Sequence, residues 1–300
     1  MLFRSSFEVT VAPNAQAGDY SIRLQSPNGE TAYLAGALTI DPGATASTFP
    51  NAADDPQFFV RQHYHDFLGR EPDAPGLDYW ATQIEQCGGN ASCIRAQRVN
   101  ISAAFFVGSE FQQTGSFVYR LYKSALERQP GFVEFIDDRS KVVGGVDLES
   151  RRRSFALEFV QRREFIRRYS RSMTAEQFID ALLASITQSS GVDLSKMRSS
   201  LMVLYDGTDA GRAAILQEAA DNPAFIQAEY NRAFVLMQYF GYLRRDVDRG
   251  GYDFWLNTLN TRLPADASGY RAMVCAFLTS GEYQLRFGIA PSHANSECGP

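Results

Sequence analysis

Histidine is scarce in this 300-residue chain, with three copies. Two of them, His63 and His65, stand two positions apart in a stretch with helical periodicity. A helix turns such a pair about 200° apart, so they are badly placed to share a metal. No Gly-x-Ser-x-Gly, no Walker loop and no His-Glu-x-x-His occurs, which excludes the nucleophile elbow, the P-loop and the zincin site. A basic excess is missing as well: 29 Lys and Arg against 34 Asp and Glu give a net charge of −5, the wrong sign for a general nucleic-acid binder. No run approaches the ~18 apolar residues of a membrane span. Met1-Leu2-Phe3-Arg4 leads straight into strand-like sequence, without the charged end and apolar core of a signal peptide. Four cysteines spaced 6, 182 and 23 apart do not make a zinc pattern. Carboxylates are plentiful, but sequence alone does not pair them for acid–base work. The expectation is a protein without catalytic residues, cofactor or metal.

What the chain does have is one stretch that occurs twice. Tyr64 to Trp80 reads YHDFLGREPDAPGLDYW, and Tyr239 to Trp255 reads YFGYLRRDVDRGGYDFW, aligned without a gap at an offset of 175 residues. Shared are the tyrosine, Leu68/Leu243, Arg70/Arg245, Asp73/Asp248, Gly76/Gly251, Asp78/Asp253 and the tryptophan, and Trp80 and Trp255 are the only two tryptophans. Around the first copy, Phe59, Val60, His63, Tyr64 and Phe67 recur every three or four positions, the mark of a helix with one apolar face. That helix should stop near Gly69. Glu71-Pro72-Asp73 starts a turn, and a second helix runs from Gly76 to about Gln86. A third runs from about Ile94 through Phe105 and Phe106 to Glu110-Phe111.

Weaker copies follow. Tyr119 to Tyr122, then Arg128-Gln129-Pro130, leads on to Phe159 and Glu164-Phe165. Phe178 to Leu183 leads on to Phe225 and Glu229-Tyr230. Phe234 through Phe277 to Glu282-Tyr283 completes a fourth unit. The closing Glu-aromatic pairs lie 54, 65 and 53 residues apart. A period of this size with about three helices per unit predicts a mainly α array or bundle of about four repeats. The two middle repeats lack the tryptophan and the glycine turn, and are expected to differ most in shape.

The chain begins differently. Phe7 to Val11, Tyr20 to Leu24 and Ala37 to Ile40 alternate in polarity, separated by turn signals at Asn14 to Asp19 and at Pro27-Asn28-Gly29. Three strands would form a partial β-sandwich, where about seven make a complete immunoglobulin-like one. The stretch AGDYSIRLQSPNGETAYLAGALTI resembles the C-terminal half of bacterial immunoglobulin-like domains. That resemblance implies a chain that begins inside a domain; a small meander packed on the helical part is the other reading. Asp41 to Pro56 is rich in Pro, Ala, Ser, Thr and Asp and reads as a linker. The expected organisation is a β segment over 1–42, a linker over 43–57, repeats one and two over 58–170, repeats three and four over 171–288, and a polar tail over 289–300.

The pattern Tyr-x3-Leu-x-Arg-x-x-Asp-x-x-Gly-x-x-x-Trp, followed by Phe-x-x-Ser-x-Glu-aromatic, resembles the bacterial domain of unknown function 4214, whose fold is similar to the phycobilisome linker domain. Tyr64, Leu68, Arg70, Asp73, Gly76, Trp80, Phe105, Glu110 and Phe111 carry it in the first repeat. Tyr239, Leu243, Arg245, Asp248, Gly251, Trp255, Phe277, Ser280, Glu282 and Tyr283 carry it in the last. Gly108 stands where Ser280 stands, so the first repeat lacks that serine's capping group. The resemblance implies an extracellular structural or adhesive module of a secreted or surface protein, with a protein or envelope polymer as partner and no catalytic residues to transfer.

Each conspicuous group has two readings. Arg70 and Arg245 either bind a partner or hold the turn through an ion pair or carbonyl cap. Trp80 and Trp255 either stack on a ligand or belong to the core. Asp73 and Asp78, like Asp246, Asp248 and Asp253, sit in acidic glycine turns that could offer oxygens to calcium, although Asn257 stands where an EF-hand needs its glutamate; helix capping is the alternative. Arg151, Arg152, Arg153, Arg162, Arg163, Arg167, Arg168 and Arg171 form either a solvated face paired with acids or a surface for an acidic envelope. Cys87 and Cys93 flank the turn GGNAS, and Cys298 would pin the tail to Cys275. These are disulfide candidates, with buried free thiols as the alternative, and pairing would place the chain in an oxidising compartment. The expected function is a non-enzymatic structural or interaction module. A calcium-dependent binding module and a glycan-acting hydrolase with paired carboxylates are the other classes.

Overall fold

The computed structural model describes residues 18–25, 31–40, 49, 51–264, 266–288 and 290–298, and the chain divides into two compact units, Met1–Ala46 and Ser47–Pro300. In the first unit, strands β1 (Gly18–Gln25) and β2 (Thr31–Ile40) pair antiparallel, with Tyr20 opposite Leu38 and Ile22 opposite Leu34. The register shifts between Tyr20 and Ile22. β2 starts at Thr31, six residues before the alternation expected from Ala37. The expected strand Phe7 to Val11 and the turn Pro27-Asn28-Gly29 lie outside the described residues. Among the described residues the β segment is one two-stranded sheet, so of the three strands expected for a partial sandwich the described residues contain two.

The second unit is helical throughout its described residues. It begins inside the stretch expected to be linker. Asn51 is fully buried, and its side chain accepts from Ala53 N and donates to Gln284 O at 3.0 Å. Asp55 then caps the next helix through Phe58 N at 2.9 Å, with Pro56 fixed at the first helical position, where a missing N–H costs nothing. From Asn51 onward, the expected linker is therefore part of the helical unit.

The first repeat comprises α1 (Pro56–His63), which widens into a π-helical turn at Tyr64–Leu68, then α2 (Ala74–Glu85), α3 (Ala91–Val107) and α4 (Ser109–Gln113). The third helix expected to reach Glu110-Phe111 is thus broken at Gly108, which leaves helical geometry at φ −59, ψ 143 and opens α4. The second repeat comprises α5 (Gly115–Leu126), α6 (Phe132–Arg139), α7 (Leu148–Val160) and α8 (Arg163–Arg168). The third has α9 (Ala175–Ser190), α10 (Arg198–Leu204) and α11 (Asp209–Ala220). The fourth begins within α12 (Pro223–Gln238), which continues as a π-helical turn at Tyr239–Leu243 and is followed by α13 (Arg249–Thr261), α14 (Ala267–Leu278) and α15 (Gly281–Gln284).

The centre is α5. Every residue of it is buried, and α9, α11 and α12 all pack against it. Its two charged side chains survive there because each is partnered. Arg120 donates to Ala220 O at 2.7 Å and to Asp221 at 2.9 Å, and Lys123 donates to Ser189 O at 3.2 Å, as buried donors must.

The repeats do not form an open row with an extended face. The last closes against the first: α14 packs on α3, and the two π turns pack on each other. Phe67 meets Tyr242 edge-on at 5.1 Å, and a Cβ at Gly241 would lie 2.5 Å from the Phe67 ring. Gly241 is small because another ring occupies the space of its side chain. The expected polar tail is also part of the domain as far as Cys298, where the turn Asn295–Cys298 packs on α14.

Candidate functional site

The repeated motif builds the same device three times. In each of three repeats the first helix ends on a left-handed residue: Gly69 at φ 67, Glu127 at φ 57 and Arg244 at φ 55. An arginine follows, and a glutamate in the closing helix receives it with two parallel bonds. Arg70 meets Glu110 at 2.6 and 2.8 Å. Arg128 meets Glu164 at 2.9 and 2.7 Å, and Arg245 meets Glu282 at 2.5 and 3.0 Å. The same guanidinium donates to the carbonyl of the next residue, Glu71, Gln129 or Asp246. It also lies over a tyrosine six positions earlier: Tyr64 at 4.8 Å, Tyr122 at 5.0 Å and Tyr239 at 5.2 Å. A planar fork that pairs with a carboxylate, caps a carbonyl and covers a ring needs arginine rather than lysine. The glutamate's hydrogen bonds raise the pKa of Arg70 and Arg245, and Arg128 holds Glu134 and Glu164 below the usual carboxylate range.

The rest of the motif serves this clamp. Asp73 and Asp248 cap α2 and α13 through Gly76 N at 2.8 Å and Gly251 N at 2.7 Å. Glycine is required there because a Cβ at Gly76 would stand 2.5 Å from Tyr64 Oη, and one at Gly251 still closer to Tyr239 Oη. Trp80 and Trp255 are half-buried against Phe105 and Phe277 at 6.0 and 5.3 Å. Phe111 and Tyr283 are buried in the core, Leu68 is buried and Leu243 half-buried. Ser280 caps α15 through Tyr283 N at 3.2 Å, while Gly108 offers no side-chain cap to α4.

In the second repeat the tryptophan position holds Asp138, which accepts from Tyr122 Oη at 2.7 Å and from Arg162 at 2.6 and 2.7 Å. That repeat keeps the clamp although it lost the tryptophan. The third repeat lost the clamp: Gly191 still ends α9 at φ 76, but Ile186, Val192 and Ala224 stand where the tyrosine, arginine and glutamate would be. Its closing aromatic is not Tyr230. Asn222 caps α12 through Ala224 N at 2.9 Å, which makes fully buried Phe225 the counterpart of Phe111, Phe165 and Tyr283. The intervals become 54, 60 and 58 residues. Glu229 lies one turn further on and accepts from buried Tyr119 Oη at 2.6 Å.

Two buried polar groups join the first repeat to the last. Asp66, 4% exposed, receives Arg286 at 2.9 and 3.1 Å and Arg244 at 3.2 Å, and its backbone oxygen accepts from Arg139. His63 donates from Nδ1 to Phe59 O and accepts at Nε2 from Ser102 Oγ, each at 2.7 Å, and Tyr242 Oη completes the chain on Ser102. The carbonyl fixes the tautomer, and burial pushes the imidazole down to about 4. Ser102 is completely buried and His63 is 2% exposed, so this serine–histidine pair lies inside the core. His65 bonds Glu71 at 2.7 Å instead.

The acidic turns use several carboxylates in capping. Besides Asp73 and Asp248, Asp246 accepts from Phe132 N of the second repeat at 2.6 Å. Asp253 faces Arg249 at 3.7 Å, and Asp78 is exposed. No group of three or more His, Cys, Asp or Glu stands in metal-holding geometry among the described residues. The arginine run divides. Arg151, Arg163 and Arg167 are exposed, while Arg153, Arg168 and Arg171 pair with Glu149, Glu127 and Asp209. Arg152 is not part of a solvated face: it is buried over the Phe117 ring at 4.2 Å and bonded to Asp221. Arg162 likewise turns inward to Asp138.

Both disulfide candidates are paired, Cys87–Cys93 and Cys275–Cys298, with Cα separations of 5.6 and 5.7 Å. Cys275 of the second also lines a cavity of about 460 Å³ between α3, α14 and the tail. Phe59, Ile94, Val99 and Leu278 contribute its apolar walls, and Asp54, Arg95, Arg98, His293 and Glu297 its charged part. Burial alone would raise the Asp54 carboxyl, but hydrogen bonds from His293, Ser292 and Arg98 hold it at about 2; Asp54 in turn raises His293. Nothing in the sequence around Asp54 or His293 announces this site, since its residues come from both ends of the domain.

These features define a closed bundle of helical repeats tied by arginine–glutamate clamps. Its first repeat is matched, over residues 47–114, by the family model described as a domain of unknown function, DUF4214, which supports the resemblance read from Tyr64 to Phe111. No curated protein and no solved structure matches the chain.

Proposed function

We propose that the chain is a non-enzymatic structural or interaction module of a secreted or surface-attached bacterial protein, binding a partner protein or an envelope polymer. The observation that carries this reading is a pair of exposed rings at equivalent motif positions. Tyr79 is 63% exposed and Phe254 is 54% exposed, and each stands edge-on to its half-buried tryptophan at 4.9 and 5.2 Å. The clamp arginines are spent on internal bonds, while the aromatic pairs stay open to a partner. Rings held by a rigid neighbour bind at low entropic cost. The two disulfides suit an oxidising compartment. No helix among the described residues is long and apolar enough to cross a membrane.

Cosedimentation of the oxidised chain with isolated bacterial envelopes tests the reading. Saturable binding that weakens about tenfold or more in Tyr79→Ala/Phe254→Ala, with an unchanged melting temperature, is the expected result. Equal binding by the variant and the parent would overturn it.

A further inference from the structure

The cavity beside the tail is separate from the aromatic pairs, and its binding chemistry is set by its own lining. Its size falls within the ~300–1,000 Å³ usual for small-molecule sites, and its walls are mainly apolar. Charge is confined to one part, where the two signs are unequally engaged. Asp54 already accepts from Arg98 at 3.0 Å and from His293 at 2.9 Å. Glu297 accepts from His293 Nδ1 and from Ala294 N, both at 3.0 Å. Both oxygens of Glu297 are thus engaged, while the two bonds to Asp54 fall on its Oδ1.

The cations do have capacity left. Arg95 approaches Glu297 only to 3.6 Å, beyond hydrogen-bond reach, and its side chain is 35% exposed. Arg98 is 8% exposed, and its Nε and Nη2 have no hydrogen-bond partner among the described residues. A guanidinium carries five donors; those two Arg98 nitrogens are closed off, with the guanidinium over the Phe59 ring at 4.6 Å, so the donors open to an added acceptor are those of Arg95. The tail lines the far side and is held in place there. Gln284 accepts from Ser292 N at 2.6 Å and from His293 N at 2.8 Å, while Cys298 is bonded to Cys275 on α14.

We propose that this cavity binds an amphipathic monocarboxylate, with the alkyl chain along Phe59, Ile94, Val99 and Leu278 and the carboxylate on Arg95 beside Arg98. An alkyl chain satisfies the walls, and a single negative charge complements the one guanidinium at the mouth without displacing the ion pairs already made.

Calorimetric titration of the oxidised full chain with decanoate and tetradecanoate, with decanol and decyltrimethylammonium as controls, tests this. Saturable one-to-one binding of at least one carboxylate, at least tenfold tighter than decanol and with no binding of the cation, is expected. Arg95→Ala should cost the carboxylate tenfold or more and leave decanol unchanged, and Ile94→Trp should fill the cavity and abolish binding. Thermal melts of both variants establish that they fold; should Ile94→Trp fail to, Arg95→Ala decides alone, since its side chain is partly exposed. Equal affinity for decanoate and decanol, no effect of Arg95→Ala, or no saturable binding by either carboxylate would overturn the proposal.

Discussion

The third repeat and its three neighbours reach the same helical outline by different means. Repeats one, two and four fasten the left-handed end of the first helix to the closing helix with an arginine and a glutamate, over a tyrosine ring. The third keeps the left-handed glycine, Gly191, and the buried closing aromatic, Phe225, but has Ile186, Val192 and Ala224 in place of the polar set. The three changes belong together. A buried or half-buried arginine without its carboxylate is costly, so losing one member of a clamp favours losing the others. The contrast shows that helix ends and apolar burial specify the repeat, while the clamp locks a turn that solvent would otherwise compete for.

The largest test concerns the seam that the clamped first and last repeats share. Asp66→Ala leaves Arg244 and Arg286 without their shared carboxylate. It should destabilise the domain by roughly 3–5 kcal/mol in chemical denaturation. Acid attacks the same seam through His63, whose folded pKa of about 4 lies below its ordinary 6.5. The unfolded chain takes up a proton below about 6.5 while the folded one stays neutral, so stability present above that pH falls by roughly 3 kcal/mol as the pH drops to 4. His63→Gln should flatten that part of the stability–pH curve. Within a clamp, Gly251→Ala forces a Cβ against Tyr239 Oη and should cost about 1–3 kcal/mol. Adding Tyr239→Phe should return part of it; an equal loss in both backgrounds would mean that the contact with the hydroxyl is not what requires glycine. The smallest effect is the transplant. Val192→Arg with Ala224→Glu should couple by about 0.2–1 kcal/mol, because Gly191 already has the left-handed conformation that precedes every clamp.

How far these features could be read from the sequence depends on the same contrast. The first and last repeats were legible because Tyr64–Trp80 and Tyr239–Trp255 align without a gap. The second clamp had a signal, Tyr122 six residues before Arg128 and then Glu164-Phe165, but the exchange of tryptophan for Asp138 hid its kinship. In the third repeat an apolar set leaves only a cap and one phenylalanine, so Glu229-Tyr230, with the right residue types, stood in for Asn222 and Phe225. Asp66 gave no sign, because its arginines, Arg139, Arg244 and Arg286, arrive from distant helices. The cavity was equally silent, since Asp54 and His293 meet only when the bundle closes.

The most direct measurement is a double-mutant cycle on Arg70→Met and Glu110→Gln, set beside the same cycle on Arg245→Met and Glu282→Gln, both read from denaturant unfolding with the disulfides intact. The first pair is 26% and 28% exposed, the second 41% and 47%. A clamp gives a favourable coupling in both, about 1 kcal/mol for Arg70–Glu110 and less for the more solvated Arg245–Glu282. No coupling in either cycle would contradict the clamp and return these arginines to the surface as partner-binding groups.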